Sequence, residues 1–164
     1  MARVYVGLGS NIERERNLRA AVRALREHFG SLILSPVYES RPIGFEGENF
    51  YNLVATVDTA ETPETVVAVL HAIEQHLGRR RGATRYLSRT IDLDLLLYDN
   101  LVREDPGLWL PRSEILEYAC VLRPLADLAP QRRHPQTGET YAEMWARFDQ
   151  TAQPLTLVEL EFPD

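Results

Sequence analysis

Residues 89–100 read RTIDLDLLLYDN, and the two aspartates inside that apolar run decide how the rest of the chain is read. Isoleucine, leucines and a tyrosine, closed by Asp99-Asn100, have the pattern of a buried strand ending at a turn. Side chains two apart on a strand point the same way, roughly 6–7 Å apart along it. Asp92 and Asp94 therefore share one face, with Ile91, Leu93, Leu95 and Leu97 on the other. Two bare carboxylates at about 6 Å repel by roughly 3 kcal/mol at an effective dielectric near ~20. A strand that keeps both needs a cation, either arginine or a hard metal such as Mg2+. Arg79, Arg80, Arg81, Arg85 and Arg89 stand just upstream with no acid among them. Spacing alone leaves open a surface strand with two solvated aspartates balanced by arginine. The other reading is a polyphosphate held between metal-bearing carboxylates and an arginine run.

Working outward, the 164 residues form one domain by length, large enough to bury roughly 70% of the unfolded surface. Apolar content of 45% and charged content of 26% are ordinary for a globular protein. The net charge of −6 argues against a general nucleic-acid binder. All basic residues other than histidine are arginine, which excludes a Walker-type lysine and Schiff-base chemistry. The single Cys120 excludes an internal disulfide and a cysteine-built zinc cluster. The amino terminus enters a strand pattern at once, and no apolar run nears the ~20 residues of a membrane span. A cytoplasmic monomer over residues 1–164, with neither nucleic acid nor membrane as partner, is expected.

Val4–Leu8 reads as a first strand, closed by a turn at Gly7-Leu8-Gly9-Ser10-Asn11. Ile12 stands where a Rossmann fingerprint needs its third glycine. Ser10 and Glu13 have capping-box spacing before a helix bearing Leu18, Ala21, Val22, Leu25 and Phe29 and ending at Gly30. Leu32–Ser40 is a strand interrupted at Pro36, residues 41–49 a loop, and Asn52–Thr59 a third strand. Thr62-Pro63-Glu64 starts a helix with Val66, Val69, Leu70, Ile73 and Leu77 as its stripe, Glu74 at the margin, and Gly78 at the end. Strand, helix, two strands, helix and strand make a ferredoxin-like βαββαβ core. Its antiparallel sheet has helices on one face and the other face open for a site. Downstream, Trp109-Leu110-Pro111 is extended, Tyr118–Leu128 helical despite Pro124, and residues 132–140 a turn-rich loop. A short helix at Tyr141–Phe148 and a late strand at Leu155–Leu160 complete a C-terminal extension.

GLGSN near the start, RPIG and FYN in the middle, RTIDLDLLLYDN, then LP and VLRPLADLAP, together resemble 6-hydroxymethyl-7,8-dihydropterin pyrophosphokinase of folate synthesis. The resemblance spans roughly residues 4–130 in order and spacing, and RTIDLDLLLY is its specific part. It implies transfer of the β,γ-pyrophosphoryl group of ATP to the pterin hydroxymethyl, leaving AMP. It also implies two Mg2+ on Asp92 and Asp94, and ATP or its phosphates on Glu74, Arg79, Arg81 and Arg89. The catalytic set it implies is Asp92, Asp94, Arg79 and Arg89. Asn52 falls where an amide reads the pterin edge, Ser40 and Ile43 on a loop lining it, and Phe50 in an aromatic slot.

Four positions depart from the family pattern. Tyr86 replaces a tryptophan over the site, and Arg112 replaces a histidine while keeping a permanent charge that can meet a phosphate. Tyr118 replaces an arginine, and Cys120 replaces the phenylalanine that stacks on the pterin. Losing one stacked aromatic costs about 0.5–1.5 kcal/mol beyond area, which weakens rather than abolishes binding. Tyr86, with Trp109 from the other side, would restore part of the cover. The arginine-rich residues 79–88 would close over ATP as a loop. Two alternatives stand beside this: the same chemistry on a related, modified acceptor, or a non-enzymatic ferredoxin-like module binding a small molecule. An RNA-recognition module is disfavoured, because residues 54–58 and 91–97 offer no aromatic.

Overall fold

Val4, Val6 and Leu8 alternate with Tyr5, Gly7 and Gly9, so the first strand has one greasy side and one side that thins to backbone. In the computed structural model, which describes residues 1–78 and 91–163, that strand is β1 (Ala2–Ser10). It is followed by α1 (Arg14–Phe29), β2 (Ile33–Leu34), β3 (Val37–Ser40), β4 (Phe50–Thr59), α2 (Pro63–Gly78) and β5 (Asp92–Tyr98). A hairpin of β6 (Arg103–Asp105) and β7 (Leu108–Leu110), helices α3 (Glu114–Glu117), α4 (Ala119–Leu128) and α5 (Tyr141–Arg147), and β8 (Thr156–Val158) complete the chain. The main sheet runs β5-β1-β4-β3-β8 with β2 also on β4, and its pairings are antiparallel. This is the expected ferredoxin-like core. Arg79, Arg81, Tyr86 and Arg89, and the closing arginine loop, lie outside the described residues.

Val4, Val6, Leu8, Leu53, Leu93 and Leu95 bury one sheet face under Leu18, Val22 and Leu25 of α1 and Val66 and Leu70 of α2. The opposite face is not simply open. Tyr5, Val54, Leu96 and Leu97 are covered by Ile115, Leu122, Leu125, Tyr141 and Met144 from α3, α4 and α5. Among the described residues, the end of that face toward Gly7 and Gly9 remains for a site.

Three local expectations change. The glycines do not close β1, which continues to Ser10 because β4 and β5 pair with it on both sides. The Ser10–Glu13 capping box does not form. Glu13 is itself the N-cap at φ 41° and binds Arg16, whereas the Ser10 hydroxyl donates to the Ile12 carbonyl. The capping box lies instead at Thr140 and Glu143, ahead of α5. Finally, Leu97 leaves the face of Leu93 and Leu95. Tyr5 pairs with Leu97 but Val6 with Leu95, so Leu96 is an extra residue, a bulge that reverses side-chain parity beyond it. Elsewhere the reading holds: Leu32–Ser40 breaks at Ser35-Pro36, where the Ser35 backbone and hydroxyl together satisfy Val54.

His134 anchors the loop before α5. Its ring is buried, and Nδ1 accepts from the backbone N–H of Gln136 and Thr137 at 3.1 and 3.2 Å. Burial lowers its pKa against the opposing pull of Glu139. With the folded value below the usual ~6.5, the neutral ring contributes stability that is complete above that pH. That contribution is lost as pH falls toward the lowered value. Melting should therefore weaken more steeply between about pH 7.5 and about 5.5 in the native protein than in His134→Gln, which cannot titrate. Parallel pH slopes of the two midpoints would show that the ring plays no such part.

Candidate active site

The register of three strands builds the site. Asp94 pairs with Gly7, which pairs with Val54; Asp92 pairs with Gly9, which pairs with Asn52. Cross-strand neighbours share a face at Cβ separations of about 4.5–5.5 Å. Two carboxylates therefore face an amide across a strip with no side chains. Glycine inside a strand weakens it and marks a place where a ligand approaches the backbone. Above this floor lies a cleft of about 350 Å³.

The cleft's far wall comes from the loop after β3 and the start of β4. Ser40, Ile43 and Phe50 line it, with Phe45 edge-to-face on Phe50 at 6.2 Å. The turn between β1 and α1 ties this loop down. Asn11 Nδ2 donates to the Glu48 carbonyl at 3.2 Å, and Arg14 Nη1 to Glu39 Oε2 and the Asn49 carbonyl at 2.9 and 3.1 Å. Asn52 Nδ2 donates to Ser40 Oγ at 2.9 Å and to the Tyr38 carbonyl at 3.3 Å. Tyr118, Cys120 and Val121 close the third side. Burial pushes the Cys120 thiol up to about 11, so it is a protonated wall residue rather than a nucleophile at neutral pH.

At the carboxylate end, Glu74 Oε2 of α2 accepts the Leu93 N–H at 2.7 Å, bracing the edge strand between its two aspartates. The Arg112 backbone N–H donates to the Leu96 carbonyl at 3.1 Å, which sets the guanidinium beside β5. Its Nη2 lies 2.7 Å from Glu114 Oε2 and 3.6 Å from Asp94 Oδ1. Burial is the largest single influence and would raise the Glu114 pKa, but the bond and charge of Arg112, with the backbone N–H of Glu114 itself and Ser113, together hold the carboxyl below its ordinary value. Beyond Asp94 a second recess, about 50 Å³, opens between α2 and β7 beside Val67, His71, Trp109 and Arg112. Trp109 lines this recess, not the main cleft where it was expected.

Among the described residues no three Asp, Glu, His or Cys side chains gather as a metal cluster. Mg2+ nevertheless suits the donors present. It binds through one or two carboxylates, keeps several waters and takes its remaining oxygens from phosphates.

Comparison with known proteins fixes the class. The family model described as 7,8-dihydro-6-hydroxymethylpterin-pyrophosphokinase (HPPK) matches residues 5–130. The chain belongs to this family. It is a pyrophosphokinase, the enzyme class the sequence implied. An HPPK relative from Bacillus subtilis, named 2-amino-4-hydroxy-6-hydroxymethyldihydropteridine pyrophosphokinase, is 37% identical over 144 residues, covering 85% of this chain and 86% of its own. One of the same name from Pseudomonas aeruginosa is 40% identical over 137 residues, covering 81% and 84%. A crystal structure described as HPPK-DHPS in complex with substrates superposes with a TM-score of 0.72 at 13% identity, a likeness of fold. That match covers 92% of this chain and 46% of the longer one.

Of the residues expected from sequence, Asp92, Asp94, Ser40, Ile43, Phe50, Asn52 and Cys120 meet in the one cleft of this HPPK chain. Glu74 and Arg112 flank it. Phe45, His71 and Glu114 were missed. Only Phe45 left a signal, as an aromatic beside glycine in the loop before a strand.

Proposed function

We propose that this chain transfers the β,γ-pyrophosphoryl group of ATP to the hydroxymethyl of 6-hydroxymethyl-7,8-dihydropterin in folate biosynthesis. The observation that carries the reading is one continuous cleft with paired carboxylates at one end and an amide, a hydroxyl and an aromatic at the other. Asp92 and Asp94 would hold two Mg2+ ions, which supply charge neutralisation for the phosphate oxygens. Asn52 and Ser40 hold the polar edge of the pterin and Phe50 covers it, aiming the hydroxymethyl at the carboxylate end. The hydroxymethyl oxygen bonds to the β-phosphorus, the bond from that phosphorus to the α–β bridging oxygen breaks, and AMP leaves with the bridge. The hydroxyl proton passes to solvent. Arg112, permanently charged, faces the phosphates from the Asp94 side. Positioning and charge dominate such a transfer, with little covalent chemistry left to the protein.

On the resemblance, Arg79, Arg81 and Arg89 meet the phosphates and Tyr86 covers the site. The proposed enzyme is a monomer, with residues 1–164 as one pyrophosphokinase domain, acting in the cytoplasm. The small Cys120 side chain on the wall favours, as a second reading, an acceptor carrying an extra substituent there. The test is product analysis with MgATP and 6-hydroxymethyl-7,8-dihydropterin. AMP is expected. ADP would make the chain a simple kinase, and no AMP despite MgATP binding would point to another acceptor.

A further inference from the structure

Helix α4 begins without a side-chain cap of its own. Tyr118 joins it to α3 as an extended residue, φ −120° and ψ 126°. Its backbone serves both helices: the N–H donates to the Glu114 carbonyl, and the carbonyl accepts from Val121 and Leu122. On either side stand the Glu117 carbonyl that ends α3 and the Ala119 N–H that opens α4, groups with no partner inside their own helices. One side chain from far along the sequence takes both. Gln153 Oε1 accepts from the Ala119 N–H at 2.9 Å, and Gln153 Nε2 donates to the Glu117 carbonyl at 2.9 Å. A backbone N–H can only donate and a carbonyl only accept, so this amide has one orientation.

Gln153 is itself held from both directions. Before it, Asp149 Oδ1 accepts from the Thr151 N–H and hydroxyl at 3.2 and 2.8 Å, closing a turn. After it, Pro154 favours extended backbone at Gln153, and β8 follows on β3, opposite Val37 to Glu39. β3 leads into Ser40 on one wall of the cleft, and the α3–α4 joint carries Glu114, Tyr118 and Cys120 on another. Residues 153–158 therefore grip two walls from outside, and Gln153 does not line the cleft. It also stands beyond residues 5–130, the stretch that the family model matches.

We propose that Gln153 is a positioning residue, whose bridge between the ends of α3 and α4 fixes the wall of Tyr118 and Cys120 at its distance from β3 and so sets the width of the cleft. The consequence for catalysis rests on the pterin reading above, whereas the bridge itself does not. Without the bridge the two short helices can turn about Tyr118, while Arg112 keeps its place through its own backbone bond to Leu96. The acceptor should therefore feel the loss far more than MgATP does.

Cys120, the single thiol of the chain, reports on the wall with no ligand present. Its alkylation by iodoacetamide is timed in wild type, Gln153→Met and Gln153→Glu, beside unfolding midpoints in urea. Methionine matches glutamine in length and makes neither bond. Alkylation of Gln153→Met should be faster by about tenfold, the worth of one hydrogen bond, and by more than its fall in global stability accounts for. Gln153→Glu can still accept from Ala119 but has nothing to give Glu117, so its rate should fall between the two. In steady-state kinetics with 6-hydroxymethyl-7,8-dihydropterin, Gln153→Met should raise the acceptor KM about tenfold and leave the MgATP KM within about twofold. Unchanged alkylation, or a rate that rises only in step with global unfolding, would overturn the proposal. So would equal rises in both KM values, or a glutamate variant indistinguishable from wild type, which would make Gln153 a cap on α4 alone. Faster alkylation of Gln153→Met, in a protein whose wild type turns over no pterin, would uphold the bridge and defeat the pterin reading.

Discussion

Asp92→Asn and Asp94→Asn should each cut turnover by about 100-fold or more while leaving the melting temperature within a few degrees of wild type. The two effects diverge because the carboxylates sit in a strand that does not need them. The Asp92 backbone pairs with Gly9 and the Asp94 backbone with Gly7, and neither side chain belongs to the buried apolar clusters on either side of the sheet. Removing one of two like charges relieves repulsion, and asparagine keeps the shape. On the proposed function, what would disappear is a hard carboxylate oxygen for Mg2+, and with it the neutralisation of a triphosphate. Mn2+ binding read by electron paramagnetic resonance in the presence of an ATP analogue should fall in step with turnover. Near-full activity of either variant at millimolar Mg2+ would remove that aspartate from metal binding.

The second large effect is expected from adding atoms. Gly9→Val should keep the fold at a small cost in stability, because a β-branched residue suits an interior strand position while the Asn52 side chain must yield by a few tenths of an ångström. Binding of the acceptor should nevertheless weaken by at least about tenfold, a cost of ~1.4 kcal/mol. The new Cβ would meet Asn52 Oδ1 at 3.1 Å and Phe50 Cδ1 at 3.9 Å, and the two further methyl groups would occupy the floor on which a planar ring must lie. Asp92 supplies none of those contacts, so affinity for MgATP should change much less than affinity for the pterin. Calorimetry with each ligand in turn separates the two. Equal losses, or none for the acceptor, would show that the ring does not rest on β1.

Much of this was legible in the residues because strand physics is periodic. The alternation through 91–97 put Asp92 and Asp94 on one face without any knowledge of their neighbours, and the leucine spacing of α1 and α2 gave their buried sides. The error over Gly7 and Gly9 has a simple cause. Glycine is a turn former in isolation, and only pairing on both sides turns it into the middle of a strand. The same holds for the covered half of the sheet face. Its lids, α3 to α5, are four, ten and seven residues long, one of them holding Pro124, too short or irregular to announce a stripe. His71 comes from α2 and acquires meaning only when the fold brings it beside Asp94 and Arg112, and Glu114, though two residues from Arg112, does so only when that pair is set against Asp94. Family resemblance, not periodicity, named Asn52 and Ser40. The hydrogen bonds between them needed coordinates.

The extra residue at Leu96 gives β5 something like a reading frame. Tyr98 and Leu97 are pinned to Val4 and Tyr5 on one side of it, while Leu95, Asp94, Leu93 and Asp92 are counted off on the other. Substitutions along the strand alter one side chain at a time. Deleting Leu96 itself would straighten the pairing with Leu97 still opposite Tyr5 and Leu95 still opposite Val6, so Asp92 and Asp94 would keep their face toward the cleft. A strand with no surplus residue has no such slack, and one residue lost there turns every side chain beyond it to the other side. The bulge is thus a reserve of length, and through it the aspartates keep their aim across a loss that an ordinary strand would pass on to them.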